Sequence, residues 1–278
     1  PYNLDAPYAC LSIKMNGTSG MPFSLKEDLA ALPGVEEVSA AIDLTDTYTV
    51  TSDKIQSSQM LADIWVKDNG FYTDIPSLLR NAEKGTLNTT VCALPEDELR
   101  RIAADAGVSD EEIETLLAGD SVLTLWGDCY YDPAADAYYQ KNTQTEGSIP
   151  VEPVFAAGDK LSIQYRRYTG QDEAGNEVYR TYTAQLPIVG VVKSANNYTL
   201  LTTDRLISSG TIFVSTALYH KMFESAGSYF MEKEGYSSLN VKLSAGSNFS
   251  LRRSISSIAT RRNGILRADN YDLISQSY

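Results

Sequence analysis

Apolar and polar positions alternate strictly from Tyr8 to Met15, with Ala9, Leu11, Ile13 and Met15 on one side and Tyr8, Cys10, Ser12 and Lys14 on the other. Successive side chains of an extended chain point to opposite faces, so this period of two predicts a half-buried strand. The period then lengthens. Leu25, Leu29 and Leu32 form a helical stripe, Ser24 and Glu27 have the spacing of a capping box, and Pro33 closes the helix because it has no amide proton to offer. Val35 to Ile42 reads as a second strand. The far end of the chain has the same grammar: Thr211 to Val214 is a short β-prone run, Ser215 is placed to cap a helix carrying Leu218, Met222 and Phe223, and Leu239, Val241 and Leu243 alternate again. A last helix sets Leu251, Ile255, Ile258 and Ala259 on one face and ends near Gly264, after which Ile265 to Ile274 returns as an extended segment.

The middle of the chain is patterned differently. Val91 to Leu94 predicts a strand, and the following helix opens at Pro95, turns Leu99, Ile102, Ala103 and Ala106 inward and stops at Gly107. Ser109 and Glu112 make a second capping box, starting a helix with Ile113, Leu116 and Leu117 that ends at Gly119; Ser121 to Trp126 returns as a strand. Leu161, Ile163 and Tyr165 alternate into a turn at 171–176, and a long strand runs from Val178 through Leu186 to Val192. Asp128 to Pro153, rich in Asp, Ala, Tyr, Gln and Thr, reads as a long surface excursion. Strand-helix-strand sets from distant parts of a chain commonly share one sheet with helices packed on one face. The predicted class is α+β with two lobes: residues 1–57 and 205–278 form one, and residues 58–204 form a β-rich insert with two helices.

Composition narrows the functions open to such a fold. Of 278 residues, 43% are hydrophobic and 21% charged, ordinary values for a folded chain with a sizeable core. Purely apolar runs reach about seven residues, as in Leu186 to Val192, whereas a membrane-crossing helix takes roughly 20. The chain opens at Pro1 with no leader pattern, so it is expected to be trimmed from a longer protein whose flanks hold any membrane part. A net charge of −13 repels nucleic acid, which is not an expected partner. The imbalance is local: Glu96 to Asp120 holds nine acids against Arg100 and Arg101, whereas Arg252, Arg253, Arg261, Arg262 and Arg267 cluster near the end. Both runs are expected to be solvated helix faces.

In order and spacing these pieces resemble the extracytoplasmic domain of MacB/FtsX-type ABC transporter permeases. The likeness is carried by Ala9 to Met15, by Leu32-Pro33-Gly34-Val35-Glu36-Glu37-Val38, by Phe155-Ala156-Ala157-Gly158-Asp159-Lys160-Leu161, by Pro187 to Val192 and by Thr211 to Ser215 ahead of a helix. Each mark alone is ordinary turn chemistry; together they span most of the chain. The resemblance implies a porter-like β-α-β subdomain built from both chain ends, an inserted sabre-like β-rich lobe, and termini close together facing a cell membrane. It implies no catalytic residue and no cofactor. A separate cytoplasmic ATPase subunit, reached through a transmembrane part, would hydrolyse ATP. The domain itself, outside the cell and with dimerisation of the permease left open, would move or grip a lipid, peptide, lipoprotein or partner protein. The helices from Pro95 to Gly119 and the Asp128 to Pro153 stretch depart from the Gram-negative members and favour a Gram-positive relative.

Candidate chemistry is sparse. His220 is the only histidine, so a Ser-His-Asp or Cys-His centre must use it, and no G-x-S-x-G elbow accompanies it; a packing or surface role is expected. Cys10, Cys92 and Cys129 lack C-x-x-C spacing, which offers no zinc site and leaves open whether one pair is bridged. Asp128, Asp132 and Asp136 carry the hard oxygens that calcium takes but depart from EF-hand spacing, and are expected to be solvated loop acids with no metal. Tyr130, Tyr131, Tyr138 and Tyr139 are the ligand-contact candidates, since surface aromatics supply contact area at low entropic cost. Arg252, Arg253, Arg261 and Arg262 are the candidates for contact with a partner subunit or anionic lipid. Two other readings compete. One is a free-standing secreted adhesion or glycan-binding module, motivated by the tyrosines and the acidic surface. The other is a secreted hydrolase, which needs His220 beside a nucleophile and a carboxylate.

Overall fold

The computed structural model describes residues 10–17, 19–44, 48–55, 60, 63, 84–87, 91–126, 128–140, 147–193, 210–224, 234–244 and 249–269. These fall into two compact units, one holding residues 10–43 and 234–269 and the other residues 44–193 and 210–224. The division thus runs between Asp43 and Leu44 rather than at 57 and 58. Residues 210–224 belong with the insert because Ile212–Ser215 pairs with Val91–Leu94. Along the chain the elements begin with β1 (Cys10–Met15), α1 (Ser24–Ala30) and β2 (Val35–Asp43). In the second unit follow β3 (Tyr48–Thr51), β4 (Thr86–Leu87), β5 (Val91–Leu94), α2 (Glu96–Asp105), α3 (Asp110–Leu117) and β6 (Val122–Leu125). Next come β7 (Cys129–Asp132), β8 (Ala137–Gln140), β9 (Ile149–Val151), β10 (Lys160–Gln171), β11 (Glu177–Val192), β12 (Ile212–Ser215) and α4 (Thr216–Glu224). The first unit is completed by β13 (Ser238–Leu243), α5 (Phe249–Arg261) and β14 (Gly264–Asp269).

In the first unit the strand order is β14-β1-β13-β2, and every neighbouring pair is antiparallel. It follows that β1 and β2 run parallel with β13 between them, while β13 and β14 run parallel with β1 between them. These are two interleaved split β-α-β units, connected by α1 and α5. Leu11, Ile13, Leu25, Leu29, Leu239, Val241, Ile255 and Ala259 are fully enclosed and form the core. Gly264 starts β14 where a Cβ would stand 2.9 Å from both Ile13 Cγ2 and Met21 Sδ, so only glycine lets the strand lie so close. The capping box expected at Ser24 does not form: Phe23 occupies the cap position with no side-chain cap. The helix begins one position early, so Ser24 lies within its first turn and its hydroxyl accepts from Arg262 Nη1 at 3.0 Å.

The second unit holds a mixed sheet in the order β5-β12-β6-β11-β10-β3-β4. The pairs β5–β12 and β6–β11 are parallel and the others antiparallel. Here the second capping box does form, with Ser109 Oγ accepting from the Glu112 amide and the Glu112 carboxylate accepting from the Ser109 amide and hydroxyl. Those bonds favour the ionised carboxylate and hold Glu112 below its ordinary range. Pro95 stands at the cap of α2, and Leu99, Ile102, Ile113 and Leu116 bury the stripes of α2 and α3. Ser215 caps α4 as expected, its Oγ accepting from Leu218 N at 3.1 Å. The stretch from Asp128 to Pro153, expected to be irregular, contains a three-stranded antiparallel sheet in the order β8-β7-β9. Two of its three strands, β7 and β8, are built on tyrosines, which pair across strands yet register as neither apolar nor polar in an alternation pattern.

Candidate functional site

The four candidate tyrosines face each other across one hairpin. Tyr130 stands opposite Tyr139 and Tyr131 opposite Tyr138, all four half-buried. Adjacent strand positions point to opposite faces, so the set divides into two cross-strand pairs on the two sides of the small sheet rather than one contact patch. The Tyr131 and Tyr138 rings are tilted with centroids 5.1 Å apart, and the Tyr131 hydroxyl donates to Asp136 Oδ1 at 2.7 Å. That bond to a carboxylate is the main reason the phenol holds its proton above the ordinary range, which makes it a donor rather than a base. The backbone of Tyr138 donates to Asp63 Oδ2 at 3.1 Å. Beside Tyr130 opens a cavity of about 180 Å³ lined by Asp128, Cys129, Pro150, Val151, Glu152, Pro153 and Lys193. This is below the roughly 300 Å³ at which small-molecule sites begin, and it suits an inserted side chain or a small polar group.

The arginine candidates belong to the first unit. β1 and β14 are hydrogen-bonded neighbours, with Leu11 opposite Asp269 and Met15 opposite Gly264. The strands by which the described chain enters and leaves this unit therefore meet at one end of its sheet. Asn263, at φ +65°, closes the turn between α5 and β14. So short a reversal sets helix and strand antiparallel, and 13 helical residues and 6 extended ones are matched in length, each about 20 Å. Phe249 and Arg253 accordingly lie towards the Leu11–Asp269 end, and Arg261 and Arg262 towards the other. Arg253 and Arg261 are exposed, while Arg252 and Arg262 are half-buried. Arg262 bonds Asp28 Oδ2 at 2.9 Å as well as Ser24, which makes it part of the α1–α5 packing. The pattern-based reading missed Phe249, which is 55% exposed with the Arg253 guanidinium 4.8 Å from its ring centroid. Its signal was present: it is an aromatic off the apolar stripe of its own helix.

Elsewhere the titratable groups serve turns and ion pairs. His220 is half-buried on α4, its ring 5.7 Å from that of Tyr219. Cys92 and Cys129 are buried and form no disulfide. Asp132 Oδ1 accepts from the amides of Ala134 and Ala135 and Asp136 accepts from Tyr131, so these two candidate calcium ligands are engaged in the β7–β8 turn. Among the described residues no group of three or more His, Cys, Asp or Glu is placed to hold a metal ion. Nor, among them, is any helix long and apolar enough to cross a membrane.

No family model matches the chain, and no curated relative matches it. Two solved structures are similar in outline. One is the periplasmic region of MacB from Actinobacillus actinomycetemcomitans, with a TM-score of 0.42 and 9% identity over 96% of this chain and 91% of that one. The other is the extracellular domain of the noncanonic ABC-type transporter YknZ from Gram-positive bacteria, with a TM-score of 0.40 and 9% identity over 93% of this chain and 100% of that one.

Proposed function

We propose that this chain is the extracytoplasmic domain of an ABC transporter permease of the MacB/FtsX type, from a Gram-positive relative, and that it works as a mechanical transmitter rather than a catalyst. One observation carries the reading. The first and last described strands are paired, Leu11 against Asp269, inside a split β-α-β unit, while the described residues of 44–193 and 210–224, which lie between them in the chain, form a separate compact body. A lobe whose entry and exit share one end of a sheet can stand on two adjacent membrane helices and pass their movement outward. The marks quoted from the sequence, from the Ala9 strand to Thr211–Ser215, support the same reading.

On this reading a cytoplasmic ATPase subunit supplies the energy through the transmembrane part, and the insert bears the surface that meets a lipid, peptide, lipoprotein or partner protein. The hairpin face of Tyr130 and Tyr139, beside the cavity that Lys193 and Glu152 line, is the contact proposed for that cargo. No step in this cycle needs a bond made or broken by the domain. The deciding test is the coding sequence on either side of this segment. Apolar stretches of roughly 20 residues are expected on both flanks, together with a neighbouring ATPase gene. Flanks without them would leave a free-standing secreted module.

A further inference from the structure

We infer that the N-terminal half of α5 is a membrane-surface contact, in which Phe249 enters the headgroup region of an anionic bilayer and Arg253, flanked by Arg252, pairs with lipid phosphates. Three independent features of the chain converge there. The first is charge: from Gly235 to Ala268 there is no Asp or Glu, while Lys242, Arg252, Arg253, Arg261, Arg262 and Arg267 are present, in a chain whose net charge is −13. The second is exposure. Phe249 is 55% exposed, the largest value among the exposed large hydrophobics of the described residues, and instead of packing inward it lies under the guanidinium of Arg253. An exposed aromatic flanked by arginines on a hydroxyl-rich helix face, here Ser250, Ser254 and Ser257, is the composition that settles at a lipid–water interface. The third is position, because this end of α5 lies level with the Leu11–Asp269 end of the sheet.

Charge complementarity selects the occupant. Among the described residues three acids stand at that end of the sheet: Glu36 is neutralised by Lys242 Nζ at 3.0 Å, Glu37 is half-buried and Asp269 ends β14, whereas the helix face itself carries Arg252 and Arg253 and no acid. The Debye length is about 8 Å at physiological salt, so the acids elsewhere on the chain are screened from a surface that Arg253 touches. The inference rests on the permease reading for the source of the bilayer, but its own chemistry is local.

The test is sedimentation of the chain with vesicles of phosphatidylcholine alone and with about one quarter phosphatidylglycerol, at physiological salt. Binding to the anionic vesicles only is expected. Arg253→Glu should weaken it about thirty-fold, the effect of exchanging an attracted for a repelled charge at the surface. Phe249→Ala should weaken it about tenfold through lost apolar burial. Arg261→Glu, at the opposite end of the same helix, should leave it unchanged. Phe249→Trp should add an emission that shifts to the blue with anionic vesicles, read against the unsubstituted protein, whose Trp65 and Trp126 supply the background. Circular dichroism of each variant separates lost binding from lost folding. Absence of wild-type binding, or equal losses from Arg253→Glu and Arg261→Glu, would overturn the inference while leaving the permease reading to its own flanking-sequence test. Wild-type binding to polyglutamate but not to vesicles, with Arg253→Glu the weakest binder, would overturn it in favour of an acidic protein surface.

Discussion

Two helical regions of this chain bury nearly the same thing and show opposite faces to their surroundings. α2 and α3 turn Leu99, Ile102, Ile113 and Leu116 inward, as α5 turns Ile255 and Ala259. Outward, α2 and α3 carry Glu96, Asp97, Asp110, Glu111, Glu112 and Glu114, with Arg100 bridging Glu96 and Glu114 at 3.2 and 2.9 Å, whereas α5 carries no acid and an uncovered phenylalanine. The inward stripe decides that a helix forms and packs; the outward face decides what medium it tolerates. An acidic, internally bridged face is at ease in water, and an arginine-aromatic face with no acid is not matched to water alone.

The comparison can be broken at the stripe first. Leu116→Ala and Ile255→Ala each remove a fully enclosed side chain and should each cost about 3 kcal/mol in urea unfolding, because the surrounding core closes only part of the space left. If either costs under about 1 kcal/mol, that helix is not core and the parallel fails.

Next come the two C-terminal ends, both in left-handed conformation. Gly119 has φ +80° and a Cβ there would stand 2.8 Å from the Leu218 amide, while Asn263 has φ +65° and already carries a side chain, whose Nδ2 donates to the Ser19 carbonyl. Gly119→Ala should therefore cost about 2–3 kcal/mol from strain and crowding combined, and Asn263→Ala about 1 kcal/mol from strain and one lost hydrogen bond. Thermal unfolding of the two variants orders them.

The smallest effect separates the serines. Ser109→Ala removes a working cap and should cost about 1 kcal/mol at neutral pH, whereas Ser24→Ala removes only an exposed acceptor for Arg262 and should cost less than half of that. The cap also carries a sign in pH. Glu112 is held below its ordinary value of 4.5, first by the Ser109 hydroxyl and then by the Ser109 amide. A lowered carboxyl stabilises the fold above the ordinary value and stops doing so as pH falls through the lowered one. The gap in melting temperature between wild type and Ser109→Ala should accordingly narrow on acidification through that range. A gap independent of pH would mean that the carboxylate half of the box does not act.

Much of this architecture was written locally. β1 follows from strict alternation, α3 from its capping box and the position of Gly119, and α4 from Ser215, because each signal involves atoms within four or five residues of one another. Ser24 shows the limit of that logic: its spacing was right, but the helix begins one position earlier, with Phe23 at the cap. The β7–β9 sheet escaped notice because tyrosine satisfies both a core and a surface. For the same reason the four tyrosines were legible as a cluster but not as two pairs on opposite faces.

By itself the amino-acid order determined which segments are strands and helices, which face of each is greasy, and where its longest acid-free basic stretch lies. Only the tertiary structure decided that β1 sits between β14 and β13, that β12 pairs with β5, and that Arg253 and Phe249 share the end where Leu11 meets Asp269. The reason is that hydrogen-bond pairing between strands is almost indifferent to side-chain identity. Partner and order are set by which long-range packing closes the core, and that is a property of the whole chain rather than of any window along it.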